Sequence, residues 1–370
     1  MDSVTLILFV AGLGLLLIGA EALVRGASRL ATSVGISPLV AGLTIVAFGT
    51  SSPELAIGVQ SALTGQAALA LGNIIGSNIA NVLLILGISA SITSLIVAQQ
   101  LVRLEVPLMV ALSFLMLLLA LDGTLSRIEG LLLLAIGIAF TIFVVRRSRN
   151  ESREIEEEYA QEFGGEPAQG GWQLLLQFGL VVGGLALLVL GSNWLVDGAI
   201  AVAQVIGVSE LVIGLTVIAI GTSLPEIATS GVASLRGERD IAVGGVVGSN
   251  IYNIVLVLGS VIAVAPTGVE VPPAAVNFDI PVMIVVAVST LPIFFTGYVI
   301  ARWEGILFLG YYIAYTLYLI LEATEHDRLP AFSNVMLLFV LPLTAVTLLV
   351  LVSRQVRYNT RSARSDLESD

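Results

Sequence analysis

The chain has 370 residues, 57% of them hydrophobic and only 12% charged, with a formal net charge of −11. That balance, with a mean hydropathy of +1.01, reads as a polytopic membrane protein and not as a soluble globular one. The absence of cysteine excludes disulfides, thiolate metal sites and cysteine nucleophiles, and an acidic chain without lysine offers nothing that resembles a nucleic-acid surface.

A bilayer core takes about 20 apolar residues per helix. On that measure eleven spans are predicted, near 4–24, 38–64, 67–96, 104–121, 127–146, 172–200, 210–236, 240–265, 279–297, 302–322 and 330–352. The first begins Met1-Asp2-Ser3 with no basic residue ahead of it, and Arg25 and Arg29 follow it. It is therefore expected to stay in place and not to be cleaved as a signal peptide. With the N-terminus outside, fourteen arginines fall on the cytoplasmic side and only Arg127 and Arg328 outside. That asymmetry supports a multi-pass protein of the cell membrane with a cytoplasmic C-terminus.

Within the second span lies Gly49-Thr50-Ser51-Ser52-Pro53-Glu54, and within the seventh, 172 residues on, Gly221-Thr222-Ser223-Leu224-Pro225-Glu226. Gly42-Leu43-Thr44 matches Gly214-Leu215-Thr216, Gly76-Ser77-Asn78 matches Gly248-Ser249-Asn250, and Asn81 matches Asn253, all at that offset. Farther on, Arg127-Ile128-Glu129-Gly130 answers Arg302-Trp303-Glu304-Gly305. The duplication divides the chain into a first five-span repeat (1–146), a polar cytoplasmic linker (147–171), a second five-span repeat (172–322), and an extra span with a cytoplasmic tail (323–370). The acidic run from Glu154 to Glu158 in the linker is read as solvated chain. Because five is odd, the second repeat enters the membrane from the opposite side. The predicted fold is all-α, two inverted five-helix repeats plus one C-terminal helix.

Both hexapeptides put a proline and a carboxylate near the middle of an apolar span. Proline lacks an N–H and its ring clashes with the carbonyl four residues back, so Pro53 should free the carbonyl of Gly49 and Pro225 that of Gly221. Thr50 and Glu54 share a helix face, as do Thr222 and Glu226. Ser77 with Asn81, and Ser249 with Asn253, repeat the i, i+4 spacing in the following spans. Together these supply carboxylates, hydroxyls, amides and carbonyls, an all-oxygen set of the kind calcium and sodium prefer. A charge at a helix centre costs roughly 2.5–3.5 kcal/mol on a lenient scale, so Glu54 and Glu226 need a counter-ion or protonation. Glu129 and Glu304 are read as helix caps, Glu21 and Arg25 as a structural pair, and His326 as solvated; Asp197 and Asp279 are left open.

At these residues the chain resembles the sodium/calcium exchanger family of the cation/Ca2+ exchanger superfamily, in the microbial form without cytoplasmic calcium-sensing domains. The carriers are Gly-Thr-Ser-x-Pro-Glu and Gly-Ser-Asn-Ile-x-Asn, each present twice. The resemblance implies alternating access around one central site. It also implies that Glu54 and Glu226 bind the ions with Thr50, Ser51, Ser77, Asn81, Thr222, Ser223, Ser249 and Asn253, and with the carbonyls of Ala47 and Ala219. The first and sixth spans would slide as gates. Two departures stand out: Asn253, where some members carry aspartate, and Gly244-Gly245, where the first repeat has Gly72-Asn73.

The expected function is a secondary Na+/Ca2+ antiporter that takes both ions as substrates in a lipid bilayer and has no resident cofactor. The alternative is H+/Ca2+ or other divalent exchange at the same carboxylates. An intramembrane hydrolase is disfavoured, because no span holds cysteine or histidine, and a channel lacks an evident filter.

Overall fold

Lipid offers no hydrogen-bond partners, so each apolar run must satisfy its own main chain, and helices do so within one segment. A computed structural model describes residues 3–150, 171–205, 219–347, 349, 350 and 353. Among the described residues nine helices are long and apolar enough to cross a membrane, or ten if one bent pair counts as a single span. In chain order the helices are α1 (Ser3–Val34), the bent pair α2 (Pro38–Thr50) and α3 (Ser52–Leu63), α4 (Ala67–Ile92), α5 (Leu101–Ala120) and α6 (Arg127–Asn150), of which α2 and α3 count together as one span. The second half gives α7 (Gly171–Val205), the short α8 (Ala219–Gly221), α9 (Leu224–Arg236), α10 (Arg239–Val264), α11 (Ala275–Phe295), α12 (Arg302–Ala323) and α13 (Leu329–Thr347). The start of the predicted seventh span with Gly214-Leu215-Thr216, the acidic linker and the arginines of the tail lie outside the described residues.

Helix α1 runs ten residues past the end predicted at 24. Arginine is a good helix former and keeps its head group in water while its stem lies along apolar surface, so Arg25 and Arg29 do not stop it. Gly35 does, with φ 70. The proline-containing span, by contrast, is broken where expected: α2 and α3 meet at 42° across Ser51, whose φ −79 and ψ 3 are non-helical. Ser223, with φ −92 and ψ 5, separates α8 from α9 in the same way. Inside α4 and α10 the winding changes from α to π over Asn81–Leu86 and Asn253–Leu258.

Helix α10 is the centre of the molecule, with 94% of its apolar stretch buried, whereas α13 is peripheral with 0%. Helix α13 attaches to α12 through the hydroxyl pair Tyr311–Thr344 at 2.5 Å. Two short antiparallel ribbons join the halves at their ends. Strand β1 (Leu95–Ile96) pairs with β4 (Val299–Ile300), and β2 (Thr124–Leu125) pairs with β3 (Val269–Glu270). Each ribbon takes one strand from each repeat.

Glycines set the helix contacts. Gly12, Gly19 and Gly26 of α1 recur every seven residues, and 172 residues later stand Gly184, Gly191 and Gly198 of α7. The two rows meet antiparallel. A Cβ on Gly191 would lie 2.7 Å from the carbonyl oxygen of Gly12, and one on Gly184 would lie 2.7 Å from the main-chain nitrogen of Leu23. The same exchange of halves holds for α6 with α10 and for α4 with α12. A Cβ on Gly130 would sit 2.9 Å from Gly259 O, and one on Gly305 would sit 2.9 Å from Gly87 O. Close approach of this kind substitutes for the hydrophobic effect, which lipid removes as a force between helices. Glu129 caps its own helix by accepting from Ser126 N–H at 2.6 Å, and Glu304 accepts from Ala301 N–H at 2.7 Å.

The glycine seam makes a sharp prediction. Gly184→Ala drives a methyl group into main chain that cannot yield and should destabilise the protein by about 1–3 kcal/mol, as overpacking does. Gly183→Ala, whose Cβ meets nothing within 4 Å, should be neutral or slightly stabilising. Thermal unfolding of both variants in detergent measures the difference, and equal midpoints would refute close packing at the seam.

Candidate ion site

The two chain breaks decide where the acids go. Glu54 lies in the first turn of α3 and Glu226 in the first turn of α9, where the free N–H groups of a helix start favour negative charge. Both are buried, at 1% and 3% exposure. Among the described residues no arginine acts on them, and both oxygens of Glu54, and Oε2 of Glu226, have no side-chain hydrogen-bond partner. The carboxylates are close enough to repel one another, and the Thr50 hydroxyl hydrogen-bonds to Glu226. The same hydroxyl lies 3.5 Å from Ser249 Oγ. Thus the first break, the second break and α10 converge.

Around the acids are further buried oxygens without a protein partner: Ser51 Oγ, Ser223 Oγ, Ser77 Oγ, Asn81 Oδ1 and Asn253 Oδ1. Buried polar atoms are normally hydrogen-bonded, and a cluster of unsatisfied oxygens around two carboxylates suits a hard cation. Among the described residues no group of three His, Cys, Asp or Glu could hold a metal. The negative charge of the cluster is therefore limited to two glutamates, and the remaining oxygens are neutral.

The structure sorts the other expected residues. Ala47 O accepts the main-chain N–H of Ser51 at 3.0 Å and the Thr50 hydroxyl at 3.4 Å. Ala219 opens α8. The carbonyl of Gly221, expected to be freed by Pro225, is taken by the hydroxyl of Ser192 in α7 at 2.7 Å. Position 192 has alanine as its counterpart at 20, so the duplication carried no signal for it. Thr222 is only half-buried and donates to Asn73 Oδ1 at 3.4 Å, while Asn73 Nδ2 has no partner. The equivalent of Asn73 in the second repeat is Gly245.

Asn78 and Asn250, marked in the sequence only as part of the duplication, lie at the contact of α4 with α10. Asn81 Nδ2 donates to Asn250 Oδ1 at 2.9 Å and Asn253 Nδ2 to Asn78 Oδ1 at 3.1 Å. The signal was present, since both belong to the duplicated Gly-Ser-Asn.

Away from the cluster, Glu21 pairs with Arg25 at 2.5 Å and also with Arg236 of α9. Ser28 donates to Glu238 at 3.4 Å, in the turn between α9 and α10, where burial pushes the Glu238 carboxyl up against the opposing pull of Ser28 and Arg236. Asp197 is exposed, Asp279 hydrogen-bonds Tyr315, and exposed His326 accepts the N–H of Arg328 at 3.1 Å. Buried Glu105, passed over in the sequence, accepts from Gln100 at 2.9 Å.

Comparison with known proteins gives the same direction. The family profile described as sodium/calcium exchanger protein matches residues 4–146 and 176–321. The inner membrane protein YrbG of Escherichia coli is 39% identical over 284 residues, covering 76% of this chain and 86% of that protein. The sodium/calcium exchanger MaX1 of Methanosarcina acetivorans is 31% identical over 347 residues, covering 85% and 98%. A solved structure of the sodium-calcium exchanger NCX_Mj superposes with a TM-score of 0.72 at 30% identity, covering 85% of this chain and 97% of that one.

If the oxygen cluster holds a cation, Ca2+ should stabilise the folded chain by mass action, by about 2.7 kcal/mol at a concentration a hundredfold above Kd. Glu54→Gln and Glu226→Gln should each lose that response while unfolding at a midpoint close to that of the ion-free parent. Thermal unfolding in detergent with Ca2+ or a chelator reads both, and a retained Ca2+ response in either variant would remove that glutamate from the cluster.

Proposed function

We propose that this chain, which belongs to the sodium/calcium exchanger family, is a secondary antiporter that exchanges Na+ for Ca2+ across the cell membrane by alternating access. The observation that carries this reading is the pair of buried glutamates, one from each half, close enough for their charges to oppose each other and with no positive partner among the described residues. The ligands are Glu54 and Glu226, with Thr50, Ser51, Ser77, Asn81, Thr222, Ser223, Ser249, Asn253 and the carbonyls of Ala47 and Ala219. Thr222 acts at the margin, since its hydroxyl is turned to Asn73.

Charge sets the coupling. Two ionised glutamates are neutralised by one Ca2+ or by two Na+, so either load crosses as a compact neutral unit. A further Na+ held by neutral oxygens makes the exchange electrogenic. The bare pair crosses poorly, because uncompensated charge inside a membrane is expensive, and that penalty enforces exchange over leak. The ions must also favour the two conformations differently, or nothing is driven. The names of MaX1 and NCX_Mj as sodium/calcium exchangers favour Na+ as the coupling ion here. The arginine asymmetry supports an N-terminus outside and a cytoplasmic C-terminus.

The test is 45Ca2+ uptake into proteoliposomes under separately imposed Na+ and H+ gradients. An outward Na+ gradient at constant pH should drive uptake, and Glu54→Gln or Glu226→Gln should reduce it to the level of empty liposomes. Uptake driven by a pH gradient alone would replace Na+ by H+ as the coupling ion.

A further inference from the structure

A cation at this site requires the amides of Asn81 and Asn253 to face it with oxygen and not with NH2. The two ends of an asparagine amide exchange by a half-turn, and only the hydrogen-bond network fixes which way each points. Here the network begins at main-chain atoms that cannot turn over. The carbonyl of Asn78 only accepts, and Asn250 Nδ2 donates to it at 3.3 Å. Asn250 Oδ1 is thereby directed to Asn81, whose Nδ2 donates to it at 2.9 Å. Asn81 Oδ1 is left as the buried acceptor with no protein partner.

The other half repeats the series. Asn78 Nδ2 donates to the carbonyl of Asn250 at 3.5 Å, Asn253 Nδ2 donates to Asn78 Oδ1 at 3.1 Å, and Asn253 Oδ1 is buried without a partner. Each relay asparagine also sets its NH2 group against a thioether, Met283 Sδ at 3.5 Å for Asn78 and Met109 Sδ at 3.4 Å for Asn250. A thioether is a weak acceptor. Turning any one of the four amides over would bring oxygen against oxygen or NH2 against NH2 within the series.

We infer that Asn78 and Asn250 are positioning residues for ion exchange, a crossed amide relay in which each half of the protein aims the ion-facing asparagine of the other. The inference rests on the reading that Asn81 and Asn253 face the ion. Partners that orient a metal ligand without touching the metal commonly govern affinity. The relay gives that role to two residues that would otherwise be read as polar contacts between helices.

The test uses 45Ca2+ self-exchange in Ca2+-loaded proteoliposomes, which needs neither a Na+ nor an H+ gradient. Asn250→Ala frees the Asn81 amide to turn over, and the half-saturating Ca2+ concentration should rise roughly 10- to 100-fold with little change in maximal rate. In an Asn81→Asp background an oxygen faces the ion whichever way the group turns, while the other opposes Asn250 Oδ1. There Asn250→Ala removes that opposition and should not raise half-saturation, a strongly non-additive cycle. The mirror pair, Asn78→Ala with and without Asn253→Asp, should behave alike. An equal penalty in both backgrounds would make the asparagines packing residues and overturn the relay, as would loss of a monodisperse protein in both alanine variants. Unchanged half-saturation in Asn81→Ala would instead remove Asn81 from the ion site, which is a failure of the underlying reading and is recognisable as such.

Discussion

Two carboxylates of like charge, buried in a low-dielectric interior with no arginine among the described residues to pair with them, are the constraint on which the rest of the structure depends. Such a pair is unfavourable by itself, and the surrounding features reduce its cost without removing its charge. The prolines end α2 and α8 so that each acid begins a new helix, where the exposed N–H groups offset part of the charge. The serines and asparagines around them add neutral acceptors. The acids thus remain available to a mobile cation, whereas a fixed guanidinium would have neutralised them permanently.

The helix framework follows from holding that cluster rigidly in lipid. Side chains alone give little net attraction between helices in an apolar solvent, so the contacts rely on backbone approach at glycine. The contacts of α1 with α7, α4 with α12 and α6 with α10 all follow this rule. Exchange of halves runs through every level, in the glycine pairs, in the two ribbons and in the asparagine relay. Each half supplies what the other lacks, and neither repeat could assemble the oxygen cluster alone.

Much of this was legible in the chain. The breaks at Pro53 and Pro225, the two acids and the gapless 172-residue offset led directly to the site, because proline and glutamate in an apolar run have few benign explanations. Asn78, Asn250 and the glycine rows obey the same offset and were readable in principle. They carried no assigned role because small and amide residues are common in membrane helices and their partners are remote in sequence. Ser192 left no trace, since nothing in the first repeat corresponds to it. Helix α1 continues past the predicted end at 24 because arginine extends helices well, so charge does not mark where the helix stops. The π windings at Asn81 and Asn253 have no local sequence signature, and ribbons of two residues are too short for alternation to register.

If the two repeats were identical in sequence, inverting the molecule in the membrane would map it onto itself, and the two open forms that the proposed alternating access requires would be degenerate. Any preference between them must come from residues that break the duplication. The structure shows where this happens. Asn73 meets Thr222, while its counterpart Gly245 is buried beside Val46. Glu21, near the middle of α1, binds Arg236 at the end of α9, while Asn193 and Thr64 occupy the corresponding positions in the other half. In the proposed exchanger, positions of this kind are where the two faces of the membrane would differ.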